Sequence, residues 1–428
     1  MLHHYENYRW LRGFNIIPSW GARIEQAWWD YDGDRFREEA ALATQTHANC
    51  LRLWIEFTAW MADPAGVQAS FMDAVTAIDE LGLKTMPCLF NRWHDRDYDY
   101  GGTYHEDLFR NLDPKLDYVR ALVTPLTNDP RILIWDLCNE PGACQFDDPV
   151  CAREIHWLSR VADIVRQTGA QQPITIGTQQ SGQNMNIYAP LCDVLGCHPY
   201  GSTPEQLAEM LVVCAAVQSR HGKPMLSNET VPGCLDDVKR AACAKWTIRM
   251  MEDAGYGWMG WGMHEGLAVS TRRDRFDSNG IDGQGFHAWF NNTGKLRPGL
   301  EFLGEPPRFV PPWSAAGLAM AALERPRDEG ESDSLLRPFF RNNGTMNFFN
   351  KQTAIHPNAA LPPDPTYAVG TLRYDKRGLW LLFFNRAGYL WSAAFYFLAS
   401  LVAIKVYFNW KQKQNTDGVP EPAAPSDC

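Results

Sequence analysis

The chain has 428 residues, 45% of them hydrophobic and 12% aromatic, with 17 tryptophans, enough for one large core and something smaller beside it. A formal net charge of -10 and the lack of a basic block argue against a nucleic-acid partner. The 11 cysteines have no metal-like spacing, and Cys50, Cys88, Cys138 and Cys197 fall inside apolar segments. They read as reduced, buried thiols in a reducing compartment. With no apolar signal core near the N-terminus, the expectation is a cytoplasmic protein without a resident cofactor or metal.

Between residue 12 and about residue 300 a short apolar run is followed by a longer amphipathic one, eight times over. The predicted strands are Gly13–Pro18, Asn49–Ile55, Lys84–Phe90, Ile132–Glu140, Pro173–Thr178, Val194–His198, Pro224–Glu229 and Tyr256–Trp261. Asp63-Pro64, Asp113-Pro114 and Asp148-Pro149 each offer a capping side chain and a proline for the first helical position. Thr203-Pro204-Glu205-Gln206 has the spacing of a capping box, and Gly82 and Gly222 sit where helices should end. Val75, Ile78 and Leu81 make one core-facing stripe. Alternating strands and helices imply parallel pairing through right-handed crossovers. Eight units predict an α/β fold, a closed (β/α)8 TIM barrel over residues 1–303. An open doubly wound sheet is the alternative, but no glycine-rich phosphate loop follows the first strand.

Beyond the barrel, 304–365 is rich in proline and charge and reads as a poorly ordered linker. Residues 366–413 form a hydrophobic segment in which Gly388–Ile404 carries no charge and apolar character runs on to Trp410. Two readings stay open for 388–410: a membrane-anchoring span with Trp391 and Trp410 at its ends, or a hydrophobic helix docked on the barrel. Residues 414–428 read as a disordered tail. The stretch 370–413 also loosely resembles fragments of a major facilitator-type transporter; one or two spans cannot form a transport path, so no transport function is implied.

Two carboxylates stand at predicted strand ends. Glu140 closes the fourth strand and Glu229 the seventh, each preceded by an asparagine. Strands four and seven of an eight-stranded barrel lie nearly opposite, so the two side chains can converge above it. Glycoside hydrolysis needs such a pair: an acid to protonate the leaving oxygen, and a carboxylate to attack the sugar or activate water.

The motifs around these residues resemble the clan A glycoside hydrolases, the (β/α)8 retaining enzymes that include cellulase-like and β-galactosidase-like families. R-G-F-N-I-I-P-S-W (Arg12–Trp20) is similar to their first strand and N-C-L-R-L-W (Asn49–Trp54) to their second. W-D-L-C-N-E-P (Trp135–Pro141) resembles the acid/base strand, C-H-P-Y (Cys197–Tyr200) the sixth, L-S-N-E-T (Leu226–Thr230) the nucleophile strand and G-W-M-G-W-G (Gly257–Gly262) the eighth. The resemblance implies Glu140 as acid/base, Glu229 as nucleophile, Arg52 against the nucleophile, and Asn139 on the sugar 2-hydroxyl. It further implies His198 and Tyr200 lining the site, Trp261 as its floor, and an oligosaccharide or glycoside as substrate. On that assignment Arg52 keeps Glu229 ionised, and Glu140 starts protonated beside it.

Trp93 and His94, after the third strand, are candidate substrate contacts, and His264 and Glu265 are rim candidates. The long loop 95–107 is expected to shape specificity. Trp28, Trp29 and Tyr31 could equally form a sugar platform or pack their own loop. A metal-dependent barrel hydrolase using His94, His198 and His264, and a catalytically inactive sugar-binding barrel, are the competing functions.

Overall fold

The computed structural model describes residues 5–92, 100–101, 108–142, 148–179, 182–275 and 285–307. Eight parallel strands close into a barrel in chain order: β1 (Arg12–Ile16), β2 (Cys50–Trp54), β3 (Lys84–Cys88), β4 (Trp135–Asn139), β5 (Ile174–Thr178), β6 (Leu195–Cys197), β7 (Met225–Thr230) and β8 (Gly257–Gly260), with β8 pairing back onto β1. All eight predicted runs are strands, with most ends moved by one to three residues; β1 gains Arg12 and β7 gains Thr230. The largest trim is at the fourth: Ile132 makes only an isolated bridge to Thr85, and regular pairing begins at Trp135.

The helices form an outer ring. Asp63 caps the helix Pro64–Glu80 by accepting from the Gly66 amide at 2.9 Å, with Pro64 in the first turn. Phe71, Ala74, Val75 and Ile78 of that helix are buried, whereas Leu81 marks its end and is half-buried. Thr203 caps the helix Pro204–His221, while the Gln206 side chain accepts from the Ser202 amide, one residue past the Thr203 amide that a capping box predicts. Asp113 is not a cap: its helix starts at Leu112, after Asn111 in a left-handed conformation, and Asp113 lies in the first turn. Gly82 and Gly222 end their helices with φ of 74° and 60°, a conformation that costs other residues more.

The barrel interior has two levels. Near the strand starts Cys50, Met86, Ile134, Leu226 and Met259 pack with Tyr8 and Leu11 into an apolar plug. Above it the interior turns polar, with Asn15, Arg52, Asp136, Asn139, His198 and Asn228 all buried. Polar groups therefore gather toward the C-terminal ends of the strands, where (β/α)8 proteins carry their chemistry.

Much of the tryptophan excess serves packing. Trp28 is not in a loop: it lies in the short helix Ile24–Trp29, is buried, stacks on Tyr31 and donates to the Trp54 carbonyl at 3.0 Å. Tyr31 is held by Asp73 at 2.8 Å, so of the three platform candidates Trp29 alone is exposed, at 50%. The described cysteines are free thiols, all buried except the half-buried Cys151. Among the described residues no helix is long and apolar enough to cross a membrane. The hydrophobic stretch 388–410, the transporter-like fragments and nearly all of the linker lie outside the described residues.

The Asp63 cap provides a stability marker. Asp63→Ala is expected to lower unfolding free energy by about 1 kcal/mol, read as an earlier urea midpoint at unchanged slope. A midpoint equal to wild type would mean that the cap contributes nothing.

Candidate active site

The polar level is built around Arg52, which is fully buried at the centre of β2. Its Nε donates to Asp136 at 2.8 Å, its Nη1 to Asn15 at 2.7 Å and to Glu229 at 3.1 Å, and its Nη2 to Asn139 at 2.9 Å. One guanidinium thus binds side chains from β1, β4 and β7. An unpaired cation there would cost several kcal/mol, so the carboxylates around it are a condition of its burial.

Two irregular strands make this convergence possible. In a regular strand successive side chains face opposite sides, so Asp136 and Asn139 would point apart. The β4–β5 register shifts between Asp136 and Asn139, and both then reach Arg52. The β7–β8 register shifts between Ser227 and Thr230. There Asn228 turns inward to Asp136 at 2.7 Å while its neighbour Glu229 meets Arg52. A bulge re-aims side chains at a strand end, here on both strands that carry a candidate carboxylate.

Backbone strain sits at the same places. Glu140 has φ of 49° and Val231 has φ of 74°, in the left-handed region that costs a non-glycine residue roughly 1–3 kcal/mol. Each is restrained by its surroundings. The Glu140 amide donates to the Gly177 carbonyl at 2.7 Å, and the Gly142 amide to buried Glu154 at 3.1 Å. The Val231 carbonyl accepts from buried Arg240 at 3.2 Å.

Glu140 and Glu229 come together with His198. One ligand-type atom from each lies within 4.8 Å of the other two. The His198 Nδ1 is 2.7 Å from a Glu140 oxygen and 3.7 Å from a Glu229 oxygen. The Tyr200 hydroxyl donates to the other Glu229 oxygen at 2.7 Å, so Glu229 is fixed at both oxygens. Gln179 approaches the second Glu140 oxygen at 3.4 Å. Trp261, just past β8, packs against Trp54 and Tyr100, with its indole N–H on Ser270 at 3.0 Å.

Burial pushes the Glu229 carboxyl above its ordinary range, and the Glu140 charge adds to that. His198, Arg52 and the Tyr200 hydroxyl pull it back without cancelling the burial. Arg52 favours the charged form of Glu229, as expected of a neighbouring cation, but desolvation by burial is the larger effect. Burial, and then the adjoining Glu229, push the Tyr200 phenol up, which keeps it a protonated donor.

Glu140, His198 and Glu229 could also hold a divalent ion. The 2.7 Å between His198 Nδ1 and Glu140 is a hydrogen-bond distance, however, shorter than the separation of two ligands each ~2.1 Å from one metal, so the pair would have to part to take an ion. Trp93, His94 and the loop 95–107, apart from Tyr100 and Gly101, lie outside the described residues. His264 takes no part in the cluster; it bridges to Phe290, and burial lowers its imidazole pKa. The sequence motifs assign no role to Asn15 or Asp136, and Asn228 stands out in them only as the asparagine before Glu229. The available signal was a charged residue inside an apolar strand, which is costly unless paired.

A closed parallel barrel whose buried polar groups gather at the C-terminal strand ends has the architecture of a (β/α)8 enzyme. Residues 23–266 match the model of the cellulase family, glycosyl hydrolase family 5, and the chain belongs to that family. Similar sequences include a probable mannan endo-1,4-beta-mannosidase C of Aspergillus terreus, 26% identical over 140 residues, which are 30% of this chain and 32% of that protein. Mannan endo-1,4-beta-mannosidase A of Podospora anserina is 22% identical over 227 residues, 50% of this chain and 57% of that protein. The chain thus spans between about a third and somewhat over half the length of these relatives. Among solved structures, an exo-beta-1,4-mannosidase from Opitutaceae bacterium strain TAV5 superposes with a TM-score of 0.56 at 17% identity, covering 74% of this chain and 61% of that one. A GH5_18 protein from Streptomyces cattleya in complex with GlcNAc gives 0.55 at 16% identity, with 70% and 82% covered. At these identities the likeness is one of fold.

The raised Glu229 pKa has a consequence for stability. A carboxyl whose folded pKa lies above its unfolded value keeps its proton in the folded state after the unfolded chain has lost it. Its contribution to stability is therefore lost as pH rises from the ordinary carboxyl range through the folded pKa. Glu229→Gln lacks that loss. The melting temperature of the variant minus that of wild type is expected to increase as pH is raised from about 4 to 7. A difference that is flat or falls over that window would contradict the burial effect.

Proposed function

We propose that the protein hydrolyses β-linked glycosides with retention of configuration, and that Glu229 is the nucleophile and Glu140 the acid/base. The observation that carries this reading is the approach of the two carboxylates from opposite strands to within 4.8 Å. That spacing suits a retaining pair, at ~5–5.5 Å, better than an inverting pair that must admit water, at ~6.5–9.5 Å. The two glutamates differ in support. Arg52 and Tyr200 hold both Glu229 oxygens, which aims a lone pair and spreads the charge lost when the sugar bond forms. Glu140 meets His198 Nδ1 at 2.7 Å and Gln179 at 3.4 Å. Two carboxyls this close resist double ionisation, so the pair retains a proton, and Glu140 can deliver it to the leaving oxygen.

Once the glycosyl ester forms on Glu229, the negative charge facing Glu140 is gone. Glu140 can then take a proton from water as that water attacks the ester. Asn139, beside Arg52, is the candidate for the sugar 2-hydroxyl, and Trp261 for the flat face beneath the ring. As substrate we favour β-1,4-linked mannosides, because the similar sequences quoted above are mannan endo-mannosidases.

Glu229→Ala and Glu140→Ala are each expected to lower turnover of an aryl β-mannoside by more than about 1,000-fold. Near wild-type activity in either variant would remove that residue from its role. Across aryl β-mannoside, β-glucoside, β-galactoside and β-xyloside, the highest kcat/KM is expected on the mannoside; a higher value on another sugar would change the substrate assignment. Dialysis against a chelator is expected to leave the rate unchanged, and a loss restored by a divalent ion would favour the metal-dependent alternative.

A further inference from the structure

We infer that Asp136, a buried side chain that need not touch substrate, is the positioning residue that holds both glutamates in register. This rests on the reading of Glu140 and Glu229 given above. Asp136 is fully buried on β4 and accepts three hydrogen bonds. Its Oδ2 accepts from Arg52 Nε at 2.8 Å and from Asn228 Nδ2 at 2.7 Å, and its Oδ1 accepts from the Gly177 amide at 3.1 Å.

Each bond leads to a glutamate. Arg52 donates onward to Glu229 at 3.1 Å. Asn228 is the residue directly before Glu229, inside the irregular stretch of β7. Gly177 accepts from the strained Glu140 backbone amide at 2.7 Å. A side chain at Gly177 has no room: its Cβ would stand 2.7 Å from His198 Nε2 and 2.8 Å from Asn228 Nδ2. The position therefore transmits an alignment without slack.

The chemistry required at 136 is narrow. Both oxygens face N–H donors, so the side chain must be an acceptor only. An asparagine presents its NH2 to at least one of those donors in either amide orientation. It also withdraws one of the carboxylates that compensate the buried Arg52 charge. Asp136→Asn keeps the volume and removes the alignment.

The test is the rate at which 2,4-dinitrophenyl 2-deoxy-2-fluoro-β-mannoside, with its β-glucoside in parallel, inactivates the enzyme. The dinitrophenolate leaves without a proton, so the rate constant reads attack by Glu229, and the concentration dependence reads binding. At a temperature where circular dichroism shows the variant folded, Asp136→Asn is expected to cut the inactivation rate constant by about 100-fold or more while the inhibition constant stays within about 3-fold. A rate constant within about 3-fold of wild type would overturn the inference and leave the glycosidase reading intact. If Asp136→Asn does not fold, Asn228→Ala cuts one of the three bonds and leaves Arg52 paired. It is expected to slow inactivation by about 10-fold at unchanged binding, and a wild-type rate would overturn the inference. Wild-type protein that neither probe inactivates would instead overturn the reading on which the inference rests.

Discussion

A guanidinium without water around it needs partners on every side, and Arg52 finds them on β1, β3, β4 and β7. Five donors in one plane meet Asn15, Cys88, Asp136, Asn139 and Glu229. Such a centre contributes little net stability, because desolvation of the charges offsets much of their attraction. What it supplies is geometry. A single cation that satisfies groups from several strands does so in one arrangement of those strands, and the candidate carboxylates inherit that arrangement.

The protein accepts local costs to keep it. Register shifts interrupt β4 and β7, left-handed backbone follows at Glu140 and Val231, and a carboxyl is buried where its charge is disfavoured. These features cluster at one end of the barrel, and the opposite end is a plug of apolar side chains. Regular packing at the bottom and irregular, polar packing at the mouth is a division that (β/α)8 scaffolds permit, because the strand starts can carry stability while the strand ends carry chemistry. Arg240 shows how the costs are contained. Buried over Trp289 and bonded to the Val231 and His287 carbonyls, it braces the chain just after the seventh strand, and burial drives its pKa down to about 9.

The aromatic residues divide along the same line. Trp28, Trp135, Trp157 and Trp289 are buried in the packing between barrel and helices or under the loops. Trp261 and Tyr100 meet edge to face just past the strand ends, and Tyr100 feels the charges of both carboxylates. An indole serves either use, since its apolar faces bury well and also match the flat side of a sugar. Composition alone does not separate the two uses; the hydrogen bond from Trp28 to the Trp54 carbonyl does.

The sequence by itself determined the eight-fold alternation, the closed parallel barrel and the placing of Glu140 and Glu229 at strand ends. Period, caps and helix-ending glycines are local signals, and they act through residues close in the chain. Arg52, Asn139, His198, Tyr200 and Trp261 are legible as candidates because each sits in a short motif within or just after a barrel strand. The tertiary structure alone decided which of these touch. The register shifts that turn Asp136 with Asn139, and Asn228 with Glu229, toward one arginine arise from pairing between strands, and strict two-residue alternation predicts the opposite. The balance at Glu229 was likewise out of reach, because desolvation depends on the whole surrounding volume, whereas a neighbouring arginine can be read from a motif.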